Sequence, residues 1–157
     1  MSSYRKCYVC GIEKPMNEFY NDVSQSGGKK YECKDCCKKL SKEWQLKNPH
    51  RYWSRYVLNN HKHNGYDIQL SVDELTNIAK QTDICPICGK LLVYNNGTNK
   101  KQSLDSPSLD RINNENILTV DNTWIICLEC NNLKSVKPLA DFVKFCDMVA
   151  TKFNHLL

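Results

Sequence analysis

The sequence has no long apolar run. Nothing in its 157 residues approaches the roughly 20 consecutive apolar residues that span a bilayer, and Met1 to Cys10 holds no apolar signal-peptide core. These absences exclude a helical membrane protein, and an intracellular, cytoplasmic chain with no membrane partner is expected. Also missing is a lone CxxC pair set in a βαβ pattern, the arrangement of a thiol oxidoreductase. Histidine is scarce as well: four are present, and His50 and His155 stand in no context that suggests chemistry.

What the chain has in plenty is cysteine, with ten residues, eight of them in four CxxC pairs. A chain of this length makes one ordinary domain or two very small ones, and small domains need a staple beyond their apolar core. In a reducing compartment CxxC pairs serve as metal ligands rather than disulfides. Charge is unevenly spread within a net balance of +5. Met1 to Tyr66 carries 13 Lys and Arg against 6 Asp and Glu, a balance of +7, while the remainder has 9 against 11, a balance of −2. The basic half is the expected contact surface for a polyanion.

Along the chain, Cys7-Tyr-Val-Cys10 and Cys33-Lys-Asp-Cys36 are separated by 22 residues containing turn signals, the pattern of a two-knuckle zinc ribbon. Cys37 cannot easily face the same ion and is expected to be a spare buried thiol. From Lys38 to Asn60 basic residues mix with Trp44, Tyr52, Trp53 and Tyr56, and Pro49 predicts two helical pieces broken near Asn48. A turn at Asn64-Gly65 precedes a helix that opens with a capping box, Ser71 as N-cap and Glu74 three residues later. Cys85-Pro-Ile-Cys88 is a third knuckle, and "GKLLVYNNG" predicts a strand and turn. "SLDRI" and "TWIIC" are β-like, and "NNLKS" predicts a helix after Cys130. The chain closes on an amphipathic helix begun by Pro138, with Cys146 expected in its core face.

Cys127-Leu-Glu-Cys130 completes a second tetrad, with 38 residues between Cys88 and Cys127, so a whole ββ unit must be inserted between its knuckles. With all four positions closed by thiolates, such a zinc is structural. The expected fold class is therefore a small zinc-stabilised α+β protein: an N-terminal four-cysteine zinc motif (1–40), a basic helical connector (41–82), a core carrying the second tetrad (83–137) and a C-terminal helix (138–157).

The run "CPIC…PSLDRINNENILTVDNTWIICLECNNLKS" resembles the HNH (ββα-metal) endonucleases, including phage junction-resolving members and rare-cutting restriction endonucleases with two four-cysteine zinc motifs. The match covers about 50 residues well and most of the chain loosely. The resemblance implies a divalent-metal-dependent hydrolase of DNA phosphodiesters, probed as restriction, homing or phage-type. Its catalytic Mg²⁺ or Mn²⁺ would be held by Asp110 and Asn131, apart from two structural Zn²⁺ at Cys7, Cys10, Cys33, Cys36 and at Cys85, Cys88, Cys127, Cys130. A carboxylate and an amide oxygen are hard ligands suited to such an ion. The family places a His general base directly after the Asp, but here that position is Arg111, which stays protonated and suits a phosphate clamp. The base must then come from His61, His63 or Tyr66, with His63 and Tyr66 level; by position the restriction-enzyme branch points at Tyr66. Alternatives remain open: Asn131 as a helix cap, Asp110 or Glu115 as ion-pair partner of Arg111, and a catalytically decayed HNH-fold zinc protein that binds DNA without cutting it. Double-stranded DNA is the expected partner, and cutting both strands would favour a homodimer. Sequence preference would come from "SQSGGKK" or "YNNGTNKKQ", neither of which announces a base.

Overall fold

The computed structural model describes residues 4–94, 103–113 and 117–156. The chain divides into two compact units, Met1–Lys47 and Asn48–Leu157, and is a small mixed α+β protein with one four-cysteine cluster in each. Among the described residues no helix is long and apolar enough to cross a membrane.

The first unit is two short hairpins and a helix. β1 (Tyr4–Lys6) pairs antiparallel with β2 (Glu13–Pro15), and β3 (Phe19–Asn21) with β4 (Lys29–Cys33), which runs directly into α1 (Lys34–Lys47). Between β1 and β2 the chain turns tightly, Cys7 N–H donating to Ile12 O and Gly11 N–H to Cys7 O. Gly11 supplies the positive φ of +71° that an L-side chain resists. Arg5 ties the Gly27-Gly28 turn by donating to the carbonyls of Lys29, Lys30 and Ser26. Among the described residues of this unit, the buried apolar centre is Cys7, Phe19, Cys33 and Cys36. Three of these four are tetrad cysteines, so among the described residues the cluster is nearly the whole of this core.

The second unit begins with α2 (Pro49–His63), separated from α1 at Asn48 because Pro49 can start a helix but not continue one. It packs on α3 (Val72–Lys80), whose N-terminus carries the capping box foreseen: Glu74 N–H donates to Ser71 Oγ at 3.2 Å and Ser71 N–H to the Glu74 carboxylate at 2.8 Å. β5 (Asp67–Ile68) pairs parallel with β7 (Ile117–Leu118). β6 (Pro107–Arg111) and β8 (Thr123–Cys127) form an antiparallel pair in full register, Asp110 opposite Trp124 and Pro107 opposite Cys127. Then come α4 (Leu128–Lys134) and α5 (Leu139–Phe153). Trp53, Leu58, Leu75, Leu109, Leu118, Ile125 and Ile126 are buried together, and Trp53 Nε1–H donates to Pro107 O, joining α2 to β6.

Several local expectations change. The segment after Cys88 makes a single antiparallel bridge, Ile84 to Leu91, instead of a strand, and 95–102, which hold most of "YNNGTNKKQ", lie outside the described residues. α4 starts at Leu128, before Cys130, because Cys127 Sγ accepts the Cys130 N–H and caps the helix. Cys146 is exposed, since Phe142 is the one buried residue of α5 among those described. Cys37 is half-buried, its thiol toward Glu32 O. Of the aromatics after Lys38, Trp53 is core while Trp44 and Tyr56 are exposed.

Candidate functional site

Each unit gathers its four cysteines so that their Sγ atoms all lie within 4.8 Å of one another. A tetrahedral Zn²⁺ with ~2.3 Å bonds needs sulfurs about 3.8 Å apart, so these clusters could hold a structural metal such as zinc. The two are built alike. Cys85 N–H donates to Lys90 O and Gly89 N–H to Cys85 O, with Gly89 at φ +74°, repeating the Cys7 to Gly11 turn. In each, the third cysteine ends a strand and donates its N–H to the first cysteine's sulfur at 3.3 Å, Cys33 to Cys7 and Cys127 to Cys85. Burial opposes ionisation of Cys7, but the backbone amides of Cys10, Cys33 and Val9 outweigh it and bring the thiol down to about 6. Cys85 comes down to about 7 against the same burial, through the amides of Cys127, Cys88 and Ile87. Burial pushes Cys36 up to about 12 and raises Cys130. The first cysteine of each tetrad is thus prepared to be a thiolate, while Cys36 and Cys130 need a cation to ionise.

A second kind of site lies in the Asn48–Leu157 unit. A cavity of about 180 Å³ is lined by His61, Tyr66, Asp110, Arg111, Asn131 and Lys134, with Leu109, Leu118, Ser135 and Val136 completing its wall. Asp110 sits on β6, and its Oδ2 receives two donors: Trp124 Nε1–H from the facing residue of β8 at 2.7 Å and Lys134 Nζ at 2.9 Å. Both fall on one oxygen, leaving Oδ1 for an outside ligand. Asn131, on α4, donates Nδ2–H to Ser108 Oγ at 2.7 Å, which turns its carbonyl Oδ1 the other way. Ser108 and Asp110 are two apart on β6 and project to one side of it. The donor set left over, one carboxylate oxygen and one amide oxygen, suits a hard divalent ion. Asp110 is the only carboxylate among the described lining residues.

The other candidates fall on both sides of the expectation. Tyr66 lines the cavity under the Arg111 guanidinium, which stands 5.1 Å from its ring centroid. His63 is exposed and does not line it; His61 does, two residues earlier on α2 and 5.2 Å from Tyr66 ring to ring. His61 Nδ1 lies 2.9 Å from Val57 O. A carbonyl only accepts, so in the neutral ring Nδ1 carries the hydrogen and Nε2 is left as the nitrogen able to take a proton. The alternative roles for the ligand pair recede: Cys127 caps α4 in place of Asn131, and Asp110 pairs with Lys134. Glu115 lies outside the described residues. His50, without context in sequence, packs against Tyr94 at 4.4 Å.

Sequence reasoning missed Lys134. Its side chain is 2% exposed, and besides Asp110 it reaches Arg111 O at 3.0 Å. Its signal was helical spacing: three residues after Asn131, it shares that residue's face of α4. Trp124 had no such signal, because its contact depends on the β6–β8 register. No family model, curated protein or solved structure matches the chain.

Proposed function

We propose that this protein is a divalent-metal-dependent DNA endonuclease of the HNH kind, stapled by two structural zinc ions and cutting at the Asp110 cavity. One observation carries the reading. Asp110 and Arg111 on β6, Asn131 on α4 and Tyr66 before β5, residues at which the HNH resemblance and charge chemistry had pointed, line one small cavity. The order β6, β8, α4, with the second tetrad closing at the β8–α4 joint, supports a ββα core.

In this reading Asp110 Oδ1 and Asn131 Oδ1 would hold Mg²⁺ or Mn²⁺, which when bound supplies positive charge to the phosphate and the departing 3′ oxygen. Arg111 holds a non-bridging phosphate oxygen through its planar donors. His61 Nε2 takes the proton from the attacking water, its ring direction set by the bond from Nδ1 to Val57 O. Tyr66, between His61 and Arg111, positions that water with its hydroxyl. Two strands call for two such cavities, and α5 exposes the apolar side chains of Val143, Phe145, Met148 and Phe153, on which a second copy would pair. The Lys- and Arg-rich first 66 residues supply phosphate contacts whose affinity falls steeply with salt.

The test is cleavage of supercoiled plasmid by the zinc-loaded protein with and without Mg²⁺ or Mn²⁺, beside Asn131→Ala. Nicking or cutting that needs the added ion and fails in the variant supports the nuclease. Retained binding with no cleavage of any DNA form overturns it in favour of a DNA-binding zinc protein whose cavity has decayed. The Lys134–Asp110 pair favours that second reading, because it already neutralises the one carboxylate at hand.

A further inference from the structure

We infer that Lys134 makes metal entry conditional on the phosphodiester: the cavity accepts the anion first and holds a divalent ion tightly only once that anion is in place. The inference rests on the nuclease reading of the same cavity and names what switches it on.

A lysine ammonium that is 2% exposed cannot be compensated by water. Its contacts are Asp110 Oδ2 at 2.9 Å and Arg111 O at 3.0 Å, so the negative charge of Asp110 is matched before any metal arrives. Arg111 lines the same space. The one carboxylate among the described lining residues thus already carries an ammonium, which opposes a second cation at the same group. A divalent ion at Asp110 Oδ1 would share that carboxylate with Nζ across a single carboxyl group. The repulsion is felt strongly in a space of about 180 Å³, where few waters screen it. The non-bridging oxygens of a phosphodiester bring the missing negative charge. Reciprocity then applies: if the anion tightens metal binding, the metal tightens anion binding by the same factor.

Removing Lys134 leaves Trp124 Nε1–H to orient Oδ2, so a change in metal uptake there reports the ammonium's charge and not a displaced carboxylate. Lys134 is therefore a positioning and gating residue, acting through Asp110.

The test is Mn²⁺ uptake followed by EPR on zinc-loaded full-length protein, with and without dimethyl phosphate, a diester monoanion that binds Mn²⁺ poorly by itself. Wild type should take Mn²⁺ weakly alone and at least about tenfold more tightly with saturating dimethyl phosphate. Lys134→Met should take Mn²⁺ about tenfold more tightly than wild type without the diester and gain little from adding it. Asn131→Ala should abolish the diester-dependent uptake. A wild-type affinity that dimethyl phosphate does not move overturns the gating, while Mn²⁺-dependent plasmid cleavage would leave the nuclease reading standing. No Mn²⁺ uptake in either arm, together with no cleavage, overturns both. The two wild-type titrations decide the matter even where Lys134→Met fails to fold.

Discussion

At the scale of single residues, the cavity turns on how Asp110 is held. Its carboxylate is 12% exposed and its partner Lys134 almost wholly buried, so breaking the pair strands a charge away from water. Asp110→Ala should therefore lower stability by about 3 kcal/mol as well as abolish cleavage, and Asp110→Ala combined with Lys134→Met should recover most of that stability. Chemical denaturation of the two variants checks this; equal loss in both would mean that the pair adds nothing to the fold. The base assignment belongs to the same scale. His61→Ala should slow cleavage about 100-fold and respond to added imidazole, whereas His63→Ala should leave the rate within a factor of about two. A His63→Ala variant with the larger defect would return the role to the residue that sequence position suggested.

Elements owe their ends to chemistry visible in the chain. α3 begins where Ser71 and Glu74 cap each other, and the Glu74 carboxyl is held below its usual range by the Ser71 backbone N–H and then its hydroxyl. A depressed carboxyl contributes stability above the ordinary carboxylate range and loses it as the pH falls through its folded value. The melting-temperature gap between wild type and Glu74→Ala should thus be present at neutral pH and close on acidification. Ser71→Ala should cost about 1 kcal/mol at neutral pH, because the Glu74 N–H loses its acceptor. At the far end of the unit, α4 stops at Ser135, which takes φ +54° beside the cavity, a conformation L-residues seldom adopt. Its N–H donates to Asn131 O at 2.8 Å, tying the strained turn to the residue proposed to hold the ion.

For the whole molecule, the difference between the two units matters most. Among the described residues of the first unit, the buried apolar set is Phe19 and three tetrad cysteines, whereas the second unit buries Trp53, Leu58, Leu75, Leu109, Ile125 and others. Where metal ligation supplies nearly all the core, metal binding free energy is folding free energy. Stepwise chelation should then unfold 4–47 before the remainder. Cys33→Ser should lose one zinc per chain and the order of that unit, leaving the second zinc and the β6–β8 signals in place. Metal analysis beside amide NMR spectra reports both, and loss of the two zincs together would contradict independent units. Cys127→Ser should strike the other unit, where the apolar core leaves a partly ordered, more open chain.

What the sequence by itself determined is local and short in range. The two tetrads follow from CxxC spacing, the break at Asn48 from Pro49, the α3 start from Ser71 and Glu74, and the β6 and β8 segments from their residue types. These depend on neighbours a few residues away or on the strong demand of a metal for four thiolates. Asp110 and Asn131 were named through a resemblance, not through spacing. The tertiary structure decided the rest: that His61 and not His63 joins Tyr66 and Arg111, that Trp124 and Lys134 share one oxygen of Asp110, and that Cys146 stays outside. Which face of α2 meets the cavity depends on how Trp53 and Leu58 seat that helix in the core. Which donor reaches Asp110 depends on a strand register and a helix axis, and neither is written in any stretch shorter than the folded unit.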